Sequence, residues 1–226
     1  MNPLKSAWLI ARKDLLVETR SRELVYTTLF FAVSCVLVFA FAFVRQGQPI
    51  ENASAGILWV AIVFSGTLAL GRAFERERQS ETLRGLLMSP VERGTVYLGK
   101  LAALLILMAG VEVVIVPIVG LFFQAPLSRA PWLLAGLIAT GTVGFAGIGT
   151  LFAAMLVRAQ SRDVLLPVVL YPIAVPVIIA GVQGTGAIFA AEPNFSLAQT
   201  CLVLLVFFDT VFVTLALWTF GPVMHE

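Results

Sequence analysis

The sequence predicts an all-α integral membrane protein with six transmembrane helices, preceded by an N-terminal amphipathic helix that lies in the membrane interface. Three observations carry this. Hydrophobic residues make up 59% of the 226 positions and charged ones 12%, with a mean hydropathy of +0.97, so lipid rather than water solvates most of the chain. Six apolar stretches are each long enough to cross the hydrocarbon as a helix, and the period-2 alternation of a membrane barrel is absent. Taking those stretches as crossings places thirteen of the fifteen Lys and Arg residues on one side: five before the first span, six between the second and third, two between the fourth and fifth. Only Arg45 and Arg129 fall opposite. The basic side is the cytoplasmic one by the usual bias, which puts both termini there. A count of five or seven spans would scramble this pattern.

The N-terminal segment opens with Asn2-Pro3, a helix cap followed by proline at the first helical position, where its missing N–H costs nothing. At 100° per residue Leu4, Ala7, Trp8, Ala11 and Leu15 share a face, and Lys5, Arg12, Lys13 and Arg20 occupy another. Such a helix lies flat, with Trp8 at headgroup depth and its basic face toward anionic lipid or a protein partner.

The first span, 24–44, follows more than twenty residues and lacks a small-residue cleavage site after it, so it is expected to stay in the mature protein. Its Cys35, like Cys201 at the end of the sixth span, has neither metal-site nor disulfide spacing and reads as a packing residue. The second span, 55–71, is the shortest, and Arg72 at its inner end extends it by snorkelling.

Residues 72–100 form the cytoplasmic loop with the densest charge. Glu75 and Arg78, then Glu81 and Arg84, stand three apart with opposite signs, beside Arg76; Leu83, Leu86 and Leu87 make an apolar edge before Ser89-Pro90 breaks the helix. Solvation accounts for the charges. An exposed leucine edge is better explained by a groove on another protein. Residues 94–100 have the Gly-x4-Gly-Lys spacing of a phosphate loop, but Leu101 stands where Ser or Thr is needed and the segment runs straight into a span. If ATP drives the function, another polypeptide binds it.

The third span, 101–123, contains Glu112, and the sixth, 201–220, contains Asp209. Each is eleven residues from its cytoplasmic end, which is about 16 Å deep at 1.5 Å per residue, so the two can share one level. An ionisable group there costs about 2.5–3.5 kcal/mol and needs a partner or a cavity. It serves a polar pathway or proton relay, or it is a protonated acid bonded between helices, with Thr210 and Thr214 as nearby partners. The fourth span, 132–157, has small residues every four positions at Gly136, Thr140 and Gly144, and again at Ala146, Thr150 and Ala154, suited to close packing within the bundle or at a subunit interface. The fifth, 164–182, holds Pro167, Pro172 and Pro176 and should be kinked or locally unwound. The outer connection 183–199, with Gly184, Gly186 and Pro193, suggests a tight or re-entrant loop. Residues 1–226 thus read as a single transmembrane domain. No metal-ligand cluster and no nucleophile with its base is visible, so an enzyme is the least favoured class, and nothing suggests a nucleic-acid partner.

Gly56-Ile-Leu-Trp-Val-Ala61, the loop from Phe74-Glu75-Arg76 to Met88-Ser89-Pro90, Leu165-Leu166-Pro167, Tyr171-Pro172 and Pro176-Val-Ile-Ile-Ala180 together resemble the cytochrome c maturation permease family CcmB, the heme exporter B proteins, over nearly the whole chain. The resemblance implies an ABC-2-like exporter permease of a bacterial inner membrane. It implies a homodimer working with a CcmA-like ATPase subunit that binds ATP and Mg, together with a CcmC-like heme-handling subunit, a CcmD-like small subunit and a CcmE-like heme chaperone. Residues 72–90 then correspond to the coupling region that seats in the ATPase, and the N-terminal helix to an interfacial elbow. Heme is the handled substrate, either exported or passed to a chaperone that ATP helps release. Glu112 and Asp209 lie outside the family pattern. Heme iron takes His, Cys, Met or Tyr; the one histidine is His225, and Met108, Met155 and Tyr171 within the spans read as packing residues. The chain is therefore expected to hold no heme or metal cofactor of its own. Two other readings stay open: the permease of another ABC-2 exporter, for lipid, drug or polysaccharide, and a proton-coupled secondary transporter using Glu112 and Asp209.

Overall fold

The computed structural model describes residues 3–45, 48–49, 53–80, 93–156 and 161–223. It contains α1 (Pro3–Ser21), α2 (Glu23–Phe43), α3 (Ala53–Ser80), α4 (Arg93–Phe123), α5 (Pro131–Met155), α6 (Arg162–Phe189) and α7 (Phe195–Val223). A two-residue antiparallel pairing, β1 (Val44–Arg45) with β2 (Gln48–Pro49), follows α2. Helices α2 to α7 are each long and apolar enough to cross a membrane, giving an all-α, six-span, multi-pass membrane protein.

The break between α1 and α2 is local. Arg22 adopts a left-handed φ of 53°, and the Glu18 carboxylate accepts a 2.9 Å bond from the Val25 N–H, which the first turn of α2 would otherwise leave unpaired. Helix α1 does not carry one uniform apolar face against lipid, as its spacing suggested. Ala7, Ile10 and Ala11 are buried against α4, where Gly99 lets the Ala7 carbonyl approach to 2.8 Å of the place a β-carbon would occupy. Leu4 and Trp8 remain 71% and 56% exposed. The seam with α4 thus takes Ala7, Ile10 and Ala11 and leaves Leu4 and Trp8 outside.

Helix α3 is longer than its apolar stretch. It passes Arg72 without a break and ends at Ser80, while α4 begins at Arg93, eight residues before the expected start at 101. The loop expected at 72–100 is therefore largely helix at both ends, because a helix nucleated in the membrane propagates into the interface for as long as its residues allow. Of the residues expected to couple to a partner, Glu75, Arg76 and Arg78 stand on the last turns of α3, described by backbone alone. Glu81, Leu83, Arg84, Leu86 and Leu87 lie outside the described residues.

Of the kink or local unwinding expected in the proline helix, unwinding does not occur: α6 is helical through Pro167, Pro172 and Pro176 to Phe189. Of the tight or re-entrant connection expected at 183–199, the tight form is found, and it is shorter: only 190–194 separates α6 from α7, whose start is capped by Asn194 accepting the Leu197 N–H at 3.0 Å. Gly184 is used for packing, with Leu137 at 2.8 Å and the Cys201 β-carbon at 3.0 Å from its absent β-carbon. The core centres on α5, the most buried span, which touches α3, α4, α6 and α7. Its small residues receive large neighbours: Leu202 faces Gly136, Trp59 faces Gly141, and Leu70 faces Gly149. Packing within the bundle thus accounts for these positions.

Candidate functional site: the basic-side ends of α1 to α4 and the carboxylates beside α5

Two ion pairs join α3 to α2 and α4 to α1. The Arg72 guanidinium on α3 lies 3.4 Å from the Glu23 carboxylate on α2, both well exposed. Lys100 on α4 is buried, and its Nζ lies 2.6 Å from Asp14 Oδ2 on α1; Lys13 Nζ approaches the other oxygen at 3.0 Å. An ammonium this deep is tolerated because the carboxylate meets it at hydrogen-bond distance. Residues 94–100 are helical and Lys100 is engaged by Asp14, so the phosphate-loop spacing forms no loop. One turn earlier, Tyr97 is fully buried, donates to the Gly147 carbonyl of α5 at 3.0 Å, and sets its ring 5.5 Å from that of Phe220 on α7.

Both intramembrane carboxylates address α5. Glu112 accepts a hydrogen bond from the Thr142 hydroxyl in a buried pair. Asp209 lies with Oδ1 2.6 Å from the place where a β-carbon of Gly144 would stand, and that oxygen is buried with no hydrogen-bond partner among the described residues. Thr142 and Gly144 are two residues apart, about 3 Å in depth and about 200° around the helix. The carboxylates thus share a level, yet they face opposite sides of α5 and are not brought together. Thr210 is not a partner of Asp209; it donates to the Val206 carbonyl of its own helix at 2.8 Å.

The proline helix is tied to α3 through Tyr171, whose hydroxyl lies 3.3 Å from Thr67 Oγ1, while Pro172 and Pro176 point outward. Met108 packs against Gly66, and Met155 is 46% exposed at the end of α5. Among the described residues, no group of three or more His, Cys, Asp or Glu side chains could hold a metal ion.

Sequence reasoning did not assign a role to Trp59, Tyr97 or Thr142. Trp59 is fully buried between Gly141 of α5 and Gly181 of α6 and donates from Nε1 to Thr185 Oγ1 at 3.0 Å. The readable signal was an aromatic with a polar tip inside an apolar stretch, opposite spans rich in glycine. Nothing local said which glycine it meets.

The family described as CcmB protein matches residues 5–224. The chain is 31% identical to heme exporter protein B of Paracoccus denitrificans over 156 residues, covering 68% of this chain and 70% of that one. It is 27% identical over 173 residues to heme exporter protein B of Pseudomonas aeruginosa, covering 76% and 77%. Against the protein of that name from Rhodobacter capsulatus the identity is 28%, covering 68% and 70%. The chain belongs to the CcmB family.

Proposed function

We propose that this CcmB-family protein is the permease subunit of an ABC-type complex in cytochrome c maturation, placed in the bacterial inner membrane with both termini in the cytoplasm. ATP hydrolysis by a separate CcmA-like subunit drives heme export, or release of a heme-loaded CcmE-like chaperone outside. CcmC-like and CcmD-like subunits complete the assembly, and the permease works as a homodimer. ATP and Mg belong to the ATPase, and heme is cargo rather than a cofactor of this chain.

The observation that carries this reading is the arrangement around the joint between α3 and α4. Helices α3 and α4 outrun their apolar stretches, to Ser80 and from Arg93, on the side where basic residues concentrate, and the sequence that connects them carries Glu81, Arg84, Leu86 and Leu87. The Arg72–Glu23 and Lys100–Asp14 pairs brace the two ends of that segment against α2 and α1. A charged segment with an apolar edge, held between braced helices, suits a partner that pushes on it.

Affinity purification from native membranes tests the proposal. Recovery of an ATPase subunit with the parent protein, and its loss on charge reversal at Glu81 and Arg84 or on Leu86→Ala with Leu87→Ala, is the expected result. A parent protein that purifies without any ATPase sinks it. A second reading, a proton-driven transporter, draws on the buried Asp209 oxygen without a bonding partner. It requires transport indifferent to ATP and abolished by Glu112→Gln or Asp209→Asn.

A further inference from the structure

Between α3 and α5 the side chains alternate in a way that bears on how force crosses the membrane. Trp59 of α3 seats on Gly141 of α5. Further along, the direction reverses: Phe145 of α5 seats on Gly66 of α3, its Cε1 2.7 Å from where a β-carbon would stand, with Met108 of α4 at the same distance. Deeper still, Leu70 of α3 seats on Gly149 of α5. The contacts ascend together in both helices, so α3 and α5 run parallel, and knobs enter from both sides. Trp59, Phe145 and Leu70 are all fully buried.

We propose that α3 and α5 move as one rigid lever, with Trp59 as the positioning residue that delivers its displacement to the far ends of α6 and the outer loops. Sliding either helix along the other must unseat three side chains from glycine positions with no slack, and close-packed interfaces switch between discrete states rather than deform smoothly. The unbroken 28 residues of α3 span about 42 Å, enough to join its basic-side end to the opposite surface. At that surface Trp59 also lies against Gly181 and bonds Thr185, both on α6. The C-cap residue of α6 is Ala190, whose carbonyl accepts a bond from the Arg129 guanidinium on the loop between α4 and α5. A push at the α3 end therefore reaches the 124–130 and 190–194 connections through packed contacts and the Arg129–Ala190 bond. The functional sense of the lever rests on the permease reading above.

The test uses the full complex with two readouts, ATP hydrolysis and the yield of mature cytochrome c in cells. Trp59→Ala is expected to leave hydrolysis within about two-fold of the parent while the yield falls about ten-fold; Trp59→Phe, which keeps a wedge, retains most of the yield. Phe64→Ala, at an exposed position of α3, should change neither. Full yield in Trp59→Ala overturns the inference, as does a parallel fall of both readouts in an assembled complex. If Trp59→Ala fails to assemble, Leu70→Ala decides by the same two readouts. If the parent carries no ATPase, the permease reading fails by itself, and spin labels at Phe64 and Ala139 on the isolated chain, with Cys35 and Cys201 replaced by Ser, then decide the interlock. A single narrow distance that broadens in Leu70→Ala upholds it; a broad distribution in the parent overturns it.

Discussion

The Lys100 ammonium and the Asp14 carboxylate, 2.6 Å apart, join the start of α4 to the N-terminal helix. The two ends are not equivalent. Lys100 is 8% exposed, whereas Asp14 is 23% exposed and has Lys13 on its other side.

That asymmetry predicts unequal substitutions. Asp14→Asn removes the carboxylate facing a buried ammonium and should cost about 3 kcal/mol, whereas Lys100→Met, which keeps the packing and leaves Asp14 beside Lys13, should cost about 1. Thermal unfolding in detergent ranks the two. A larger loss for Lys100→Met would show that the burial cost falls on the acid.

Glycines of α3, α5 and α6 should respond in opposite directions. A β-carbon at Gly181 or Gly141 enters the Trp59 ring, so alanine at either should destabilise by about 1–3 kcal/mol. Gly56 has nothing within 4 Å of that position, and alanine there should stabilise by about 0.5–1 kcal/mol through helix propensity alone. Melting of the three purified variants side by side checks both signs.

The two intramembrane carboxylates should also separate. Thr142→Val deletes the donor to Glu112 and should cost about 1–2 kcal/mol, since a buried acceptor loses its bond. Asp209→Asn removes no protein hydrogen bond from Oδ1 and should be close to neutral in stability. Equal losses in the two melting curves would contradict the difference in their surroundings.

Tyr97 offers a smaller effect. Tyr97→Phe keeps the ring against Phe220 and loses only the bond to the Gly147 carbonyl, so about 1 kcal/mol of stability should go while cytochrome yield stays near that of the parent. A yield lost without loss of stability would give the hydroxyl a role beyond packing.

Much of the fold was legible because hydropathy and basic-residue bias are properties of short stretches. Six spans and their order follow from composition read locally. The same reading missed helix ends wherever the helix outran the lipid, as α3 does to Ser80 and α6 to Phe189, because apolar length measures the hydrocarbon and not the hydrogen-bonded ladder. Glycines at 184 and 186 looked like a turn for a related reason: the residue that permits a turn is also the residue that permits close packing, and only the neighbouring helix distinguishes them.

The chain by itself determined that this is a six-span membrane bundle and where its polar exceptions lie, since each of those facts is written in consecutive residues. Tertiary structure alone decided that Lys100 answers Asp14, that Glu112 answers Thr142 while Asp209 faces Gly144, and that Trp59 fits between Gly141 and Gly181. Those pairings join residues about 30 to 120 positions apart, and their choice depends on how whole helices rotate and slide into register, a property of shape and close packing that no single segment contains.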